Sequence, residues 1–244
     1  MTGSGQRLDG SDDEVLLALF ATVVSRDDRA ATRLLDESPG LPTRQVRAGA
    51  TRQDPESYFL RAIHHHLYAG DTALHVAAAA HTRRLAKSVV ARGADVRARN
   101  RRGAEPIHYA ADGSPGAVSG KPDGQHEVIT YLIEAGADPN ATDKSGVAPI
   151  HRAVRTRSSN AVRALIESGA DPRLTNRSGS TPLHLAVQNT GKGGSGADTA
   201  KDDQRRIIAL LLSHGARPTD ADANGKTVAA AASSDWIREL LDNS

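Results

Sequence analysis

The chain has 244 residues, 38% of them apolar and 25% charged, with a formal net charge of +2. This small net charge gives little long-range attraction toward nucleic acid, and the lack of cysteine excludes disulfides and thiolate metal sites. With two Phe, one Trp and four Tyr, the chain cannot build a deep aromatic core, and without a run of about 18 apolar residues it is expected to be a cytoplasmic protein with no membrane-spanning helix.

The first part of the chain contains no repeated motif. Residues 1–12 have no apolar core that would serve as a secretory signal, and they are predicted to form a disordered tail. Apolar residues then recur at helical spacing in Glu14–Phe20 and again in Ala31–Leu35. Residues 13–69 are therefore predicted to form an N-terminal capping repeat built on a helix pair.

An extra helix is predicted within this region at Pro55–Leu67. Phe59, Ile63 and Leu67 recur every four residues, which places them on one helical face. The same segment holds the run His64–His66, a candidate metal site. Neighbouring side chains on a helix point about 100° apart, so the three rings are not expected to converge on one ion.

Downstream of residue 70, two short phrases recur in step. Copies of the first lie at Thr72–Ala77, Glu105–Ala110, Ala148–Ala153 and Thr181–Ala186, with a degraded copy at Thr227–Ala232. Successive copies are 33, 43, 33 and 46 residues apart. The second phrase begins at Gly93, Gly136, Gly169 and Gly215, with the matching intervals of 43, 33 and 46 residues. Two phrases that keep the same intervals indicate a repeat of about 33 residues with two lengthened copies.

Each position of the first phrase has a physical role. A leading Thr, as in Thr181, is predicted to cap a helix by accepting a backbone N–H through its hydroxyl. Pro182 follows in the first turn, where its missing N–H costs nothing. Leu183 and Ala186 are three residues apart and share one face, and the small Ala allows a neighbouring helix to approach closely. A second apolar helix is then predicted to end at a glycine, here Gly215.

These phrases resemble the ankyrin repeat, whose unit carries a T-P-L-H-x-A motif. The resemblance implies an all-α solenoid of stacked helix-turn-helix units with short β-hairpin tips. It also implies that the four motif histidines hydrogen-bond within and between repeats, and that the protein functions by binding another protein. Those histidines are His75, His108, His151 and His184.

The repeat boundaries follow from the phrases. The predicted units are ankyrin repeat 1 at 70–102, repeat 2 at 103–145 with an inserted loop at 112–124, repeat 3 at 146–178, repeat 4 at 179–224 with an inserted loop at 190–203, and a C-terminal capping repeat at 225–244. Both loops are Gly-rich and fall between the two helices of a repeat, on one face of the solenoid. They either flank a bound partner or are tolerated surface insertions. The second loop lacks the order of a phosphate-binding loop.

A binding surface is predicted on the concave face, at the hairpin tips and the ends of the first helices. The candidate contact residues are Arg101, Arg102, Ala104, Lys144, Ser145, Val147, Arg155, Thr156, Arg177, Ser178, Ser180, Gln188, Asn189, Asn224 and Lys226. Six of these fifteen are basic and none is acidic, which predicts an acidic surface on the partner. The alternative is that the arginines only solubilise an Ala-rich stack.

No catalytic motif is recognisable, so the sequence predicts a monomeric protein-interaction module without cofactor or metal. Two other functions stay open. One is a metal-dependent protein, ligand-dependent protein or enzyme that uses His64–His66 or the Gly-rich loops. The other is nucleic-acid binding through the basic tips, which the lack of interleaved aromatic residues disfavours. The stretch Arg99–Pro106 and the closing Ser234–Arg238 segment also resemble a group of bacterial ankyrin proteins of undefined role.

Overall fold

The computed structural model describes residues 10–113, 122–188, 198–232 and 234–242. This part of the chain is mostly helical, and its helices come in consecutive pairs. The pairs are α1 (Gly10–Ser25) with α2 (Asp28–Glu37), α3 (Ala73–Ala79) with α4 (Arg83–Val90), α5 (Pro106–Ala111) with α6 (Pro122–Glu134), α7 (Pro149–Arg155) with α8 (Ser159–Glu167), α9 (Pro182–Ala186) with α10 (Asp198–Ser213), and α11 (Val228–Ala231) with α12 (Asp235–Asp242). Helix α1 begins inside the predicted tail 1–12, and residues 1–9 of that tail lie outside the described residues.

The pairs stack in sequence order, and the helices form two rows. The short first helices, called inner helices, pack on one another in the order α1, α3, α5, α7, α9 and α11. The longer second helices, called outer helices, pack in the order α2, α4, α6, α8 and α10. These contacts join neighbouring units, as expected for a repeat solenoid in which stacking buries each unit's apolar face. The predicted all-α ankyrin-type architecture is confirmed.

In the four inner helices α3, α5, α7 and α9, one aliphatic residue and one alanine of the motif belong to the core. Leu74, Ile107, Ile150 and Leu183 are completely buried, as are the alanines three positions later. Burial of one such Leu or Ile side chain stabilises the fold by roughly 1.5–3 kcal/mol. Because the alanines have no bulk beyond Cβ, successive inner helices can approach closely, as predicted from the motif.

Tight turns, called tips, join the outer helices α4, α6, α8 and α10 to the inner helices that follow them. A backbone hydrogen bond closes each turn, for example from the Asp143 N–H to the Val147 carbonyl at 3.0 Å. Gly146 adopts φ +70°, and a Cβ at this position would lie 2.7 Å from the Arg177 nitrogen of the next tip. Glycine is therefore required both by the left-handed backbone and by the close approach of the neighbour.

Residues 41–69, called the insert, break the repeat pattern and contain no α-helix. The predicted helix at Pro55–Leu67 is wrong: this segment holds short 3₁₀ turns and an antiparallel pair of strands, β1 (Phe59–Leu60) and β2 (His65–His66). Phe59 pairs with His66 and Leu60 with His65.

Tertiary pairing accounts for this difference from the helical pattern. His64 takes a left-handed conformation at φ 49° and reverses the chain. Leu67 then donates its N–H to the Tyr58 carbonyl at 2.8 Å and accepts the Ala50 N–H at 2.7 Å. Since these backbone groups bond across the insert, they are not available to a helix. The spacing of four that predicted a helix also buries Ile63 and Leu67 in this looped form.

In the two lengthened repeats, a side-chain hydrogen bond replaces the backbone hydrogen bond that closes the turn between the inner and outer helices. In the regular repeats, the alanine carbonyl near the end of the inner helix accepts a nearby backbone N–H, as in Thr82 to Ala77 at 3.0 Å. In the lengthened repeats, a buried glutamine from the outer helix takes this role. Gln125 Nε2 donates to the Ala110 carbonyl at 2.9 Å, and Gln204 Nε2 donates to the Ala186 carbonyl at 2.7 Å.

The limits predicted for the inserted loops were too wide. Residues 122–124 belong to α6 and residues 198–203 belong to α10, so both outer helices begin earlier than predicted. Ion pairs at i,i+3 spacing, Asp202 with Arg205 and Asp203 with Arg206, support the first turns of α10. The rest of the predicted loops, 114–121 and 190–197, lies outside the described residues.

Candidate functional site

The residue that follows each motif histidine lies on the inner face of the stack. These residues are Val76, Tyr109, Arg152 and Leu185, and they occupy equivalent places on four successive inner helices. Val76 and Tyr109 are buried, Arg152 is 11% exposed at its side chain, and Leu185 is half-buried. The inner face is thus closed over the first two of these helices and becomes accessible along α7 and α9.

The insert closes the first part of this face. Residues Leu41–Thr43 pack on α3, and the His65 ring lies 4.2 Å from the Tyr109 ring on α5. Tyr68 of the insert contacts the tip that precedes α5, where its hydroxyl accepts a hydrogen bond from Arg102 at 2.8 Å. The part of the inner face that the insert leaves accessible is therefore formed by α7, α9 and the tips beside them, and it is called the open groove.

A buried polar network lies beneath the insert. The Asp71 carboxylate accepts the Tyr109 hydroxyl at 2.8 Å, the Asn100 amide at 2.8 Å and the Tyr68 N–H at 2.7 Å. Burial and the Asp71 charge raise the pKa of Tyr109 well above its ordinary value, so the phenol remains a neutral donor. These hydrogen bonds satisfy a carboxylate that has no exposed surface.

Arg152 lies at the boundary between the closed and open parts of the inner face. Its guanidinium pairs with Asp112 at 2.9 Å and with Asp143 at 3.4 Å, and it lies 5.9 Å from the centre of the Tyr109 ring. Burial disfavours the charged form of Arg152, but the charge and hydrogen bond of Asp112 outweigh it and raise the pKa. Partial burial likewise opposes the charge of Asp143, yet two backbone N–H groups hold its pKa below the ordinary value. One guanidinium and two carboxylates thus form a salt-bridge cluster with a formal charge of −1.

The four motif histidines are structural. In each, Nδ1 accepts the backbone N–H three residues earlier, and Nε2 donates to a carbonyl of the next repeat, as in His75 to Ala104 at 3.1 Å and His108 to Val147 at 3.1 Å. Burial lowers the pKa of His75 and lowers that of His108 to about 3, so both are neutral at physiological pH. The hydrogen bonds within and between repeats are confirmed.

The three histidine side chains of the run His64–His66 lie in three different environments. His64 is exposed, His65 stacks on Tyr109, and His66 donates through Nδ1 to the Pro55 carbonyl at 3.2 Å. Burial lowers the pKa of His65 to about 4. Within the described residues, no three His, Cys, Asp or Glu side chains are grouped so that they could hold a metal ion.

The predicted contact residues differ in accessibility. Exposed members are Lys144, Ser145, Arg155, Arg177, Ser178, Gln188, Asn224 and Lys226, whereas Val147, Thr156 and Ser180 are half-buried. Asn189 lies outside the described residues. Ala104 is completely buried, because its N–H donates to Asn100 and its carbonyl accepts from His75; its prediction as a contact residue is wrong.

Arg101 and Arg102 are exposed, but the insert engages both. Arg101 donates to the Ala50 carbonyl, and the Arg102 guanidinium lies 4.8 Å from the centre of the Tyr68 ring. This contact could not be predicted from the repeats, because the insert contains no copy of the repeated phrases. Arg152 was also not predicted as a site residue. The aligned phrases do show it as the one charged residue at a position that holds Val, Tyr and Leu in the other three copies.

Stacked helix pairs with hydrogen-bonded tips and inter-repeat histidine bonds define the class: a helical repeat solenoid. Comparison with known families agrees. The model described as ankyrin repeats (3 copies) matches residues 116–222, and the model described as ankyrin repeat matches residues 69–101. Together these matches cover more than half of the chain, which belongs to the ankyrin repeat family. A search of curated proteins found no match.

Ankyrin repeats are generally protein–protein interaction modules, and the family is generally non-catalytic. In the described part of the chain, none of the helices has the length and apolar character needed to cross a bilayer.

Proposed function

We propose that this chain is a non-catalytic interaction protein, a cytoplasmic monomer whose partner protein presents an acidic surface to the open groove. The observation that supports this most strongly is the change of accessibility along the inner face. Val76 and Tyr109 are covered by the insert, while Leu185 and the end of α7 at Arg155 are accessible. A rigid, preordered face limits the entropy lost when a partner binds.

The charges beside the groove support an acidic partner. Lys144, Arg155, Arg177 and Lys226 are exposed, and none of them forms an ion pair with a carboxylate in the described part of the chain. Unpaired cations at the rim of an interface steer an oppositely charged partner toward it.

Several other arginines have structural roles instead. Arg84 pairs with Asp28, Arg92 pairs with Asp36, and Arg97 donates to the Gly136 carbonyl at 2.8 Å. Arg177 likewise donates to the Lys144 carbonyl, so the contrast holds for Lys144, Arg155 and Lys226, whose side chains form no such contact among the described residues.

Charge reversal tests this proposal with a matched control. Lys144 and Lys226 are changed together to Glu, because both are exposed and their side chains have no hydrogen-bonded partner among the described residues. The control changes exposed Arg33 and Arg163, on the outer helices α2 and α8, to Glu. Both variants alter the net charge equally, so nonspecific attraction falls by the same amount.

Affinity capture from the native host, with quantitative mass spectrometry, then compares the two variants with the wild type. The proposal predicts a protein that is retained by the wild type and the control and depleted by the groove variant. The proposal would be refuted if both variants captured equally reduced amounts of every protein, or if neither variant captured less than the wild type. Recovery of nucleic acid in place of a protein would favour the nucleic-acid alternative.

A further inference from the structure

A cleft of about 300 Å³ lies where the insert meets the tips of the second and third repeats. One wall consists of His64, His66 and Tyr68 from the insert, and the other includes Arg102 and Arg155 from the stack. The insert therefore does more than cover the inner face: it supplies one side of a recess that opens toward the groove.

The floor of this cleft carries no unpaired carboxylate. Asp112 pairs with Arg152 at 2.9 Å. Asp143 uses Oδ2 to pair with Arg152 and uses Oδ1 to accept the N–H groups of Ser145 and Val147 at 2.8 and 3.1 Å. The floor anions are thus occupied by Arg152 and by the tip backbone.

The rim of the cleft is positive. Arg102 and Arg155 are exposed, and neither pairs with a carboxylate among the described residues. The floor holds two carboxylates and one guanidinium, a formal charge of −1, and with Arg102 and Arg155 the formal charge of these five groups is +1. An anionic group is the complementary ligand.

Arg102 is held in place before any ligand arrives. Its guanidinium lies 4.8 Å from the centre of the Tyr68 ring, Nη1 donates to the Tyr68 hydroxyl at 2.8 Å, and its backbone N–H donates to Asn100 Oδ1 at 2.9 Å. A planar guanidinium carries five donors, and one hydrogen bond to Tyr68 leaves the others for a ligand. Prior ordering lowers the entropy cost of binding.

We infer that this cleft is an anchor site for one acidic side chain, Asp or Glu, of the partner protein, held between Arg102 and Arg155. This inference rests on the proposed function, since it names the subsite through which the groove recognises its partner. Guanidinium groups bind carboxylates through short, charge-assisted hydrogen bonds. Tyr68 is a positioning residue, because it contacts Arg102 and orients it.

The test uses defined peptides, so it does not depend on identifying the partner. The protein is labelled with ¹⁵N-arginine. The Nε–Hε signals of Arg102 and Arg155 are assigned by their loss in the variants Arg102→Lys and Arg155→Lys. The probe is acetyl-Gly-Glu-Gly-amide; the controls are the Gln counterpart and acetyl-Gly-Gly-Gly with a free terminal carboxylate. We expect saturable shifts at Arg102 and Arg155 with the Glu peptide and at least about fivefold weaker binding of the Gln peptide.

Variants test the roles of the cleft residues. Arg155→Gln should weaken binding of the Glu peptide about fivefold or more. Tyr68→Phe keeps the ring but removes the hydroxyl, so it should broaden the Arg102 Nε–Hε signal and weaken binding about two- to threefold. Equal shifts with the Glu and Gln peptides, or shifts of the same size at Arg163, would overturn the inference. Tighter binding of the terminal carboxylate would overturn the choice of a side chain.

Failure of the cleft is distinguishable from failure of the groove. If Lys144/Lys226 reversal depletes the captured partner but Arg102→Gln does not, the groove binds the partner and the cleft inference is wrong. If the Glu peptide binds the cleft while the reversal leaves capture unchanged, the proposed function is wrong.

Discussion

Mild acid should destabilise the protein, and His65 should account for a measurable part of the loss. The pKa of His65 is lowered from 6.5 to about 4, mainly by burial. The Asp71 charge opposes this shift, whereas Arg152, His75 and His66 reinforce it. Between these two values, the unfolded chain binds a proton that the folded chain does not. This contribution to stability is therefore complete above pH 6.5 and is lost as the pH falls toward 4.

The size of the effect follows from the two pKa values. Between pH 7.5 and pH 5, an imidazole with pKa 6.5 unfolded and about 4 folded loses about 2 kcal/mol of its contribution to the free energy of unfolding. His108, with a pKa of about 3, adds a loss of similar size. The two histidines together therefore account for a loss of about 4 kcal/mol over this range, while the raised pKa values of Glu105 and Asp112 act in the opposite direction.

The variant His65→Phe isolates the contribution of His65 to the loss of stability in acid. Phe has no titrating group, retains a ring that can stack on Tyr109, and removes a buried Nε2 that has no hydrogen-bond partner among the described residues. At pH 7.5 the variant should be as stable as the wild type, or more stable by up to about 1 kcal/mol. Urea unfolding at both pH values measures the difference, and the variant should lose about 2 kcal/mol less. Equal losses in the two proteins would refute the reasoning.

Two further predictions concern buried hydrogen bonds. Gln204→Leu leaves the Ala186 carbonyl without its 2.7 Å donor and should cost about 1–3 kcal/mol, whereas exposed Gln188→Leu should change stability by less than about 0.5 kcal/mol. Hydrogen exchange should show faster opening of α9 and α10 only in the first variant. Tyr109→Phe removes a donor to the buried Asp71 carboxylate and should lower stability by about 1.5–3 kcal/mol. An unchanged urea midpoint in that variant would contradict the role of the network.

The repeat architecture could be predicted because its determinants are local and periodic. Pro at the first helical turn, Ala on the packing face and Gly after the outer helix each act within a few residues, and their recurrence at equal intervals made them recognisable. The hydrogen bonds of the motif histidines could also be predicted, because these residues occupy the same position in each repeated phrase. His75 and His108 occupy one position of the phrase, and the structure gives both the same pair of hydrogen bonds.

The insert could not be predicted because long-range contacts determine its form. Phe59, Ile63 and Leu67 fit a helical period, yet Leu67 is bonded to Tyr58 and Ala50, a partnership that no local pattern encodes. The same limitation affected the site. Arg102 was expected at an exposed tip, but no local pattern showed that Tyr68, 34 residues earlier, orients its guanidinium.

Site-specific photocrosslinking tests the central claim most directly. A benzoylphenylalanine is placed at Leu185 in the open groove and, in a second variant, at Arg163 on the outer helix α8, and each variant is irradiated in an extract of the native host. The account predicts that the protein whose capture depends on Lys144 and Lys226 is crosslinked from position 185 and not from position 163. Crosslinking of that protein from position 163 alone would contradict it.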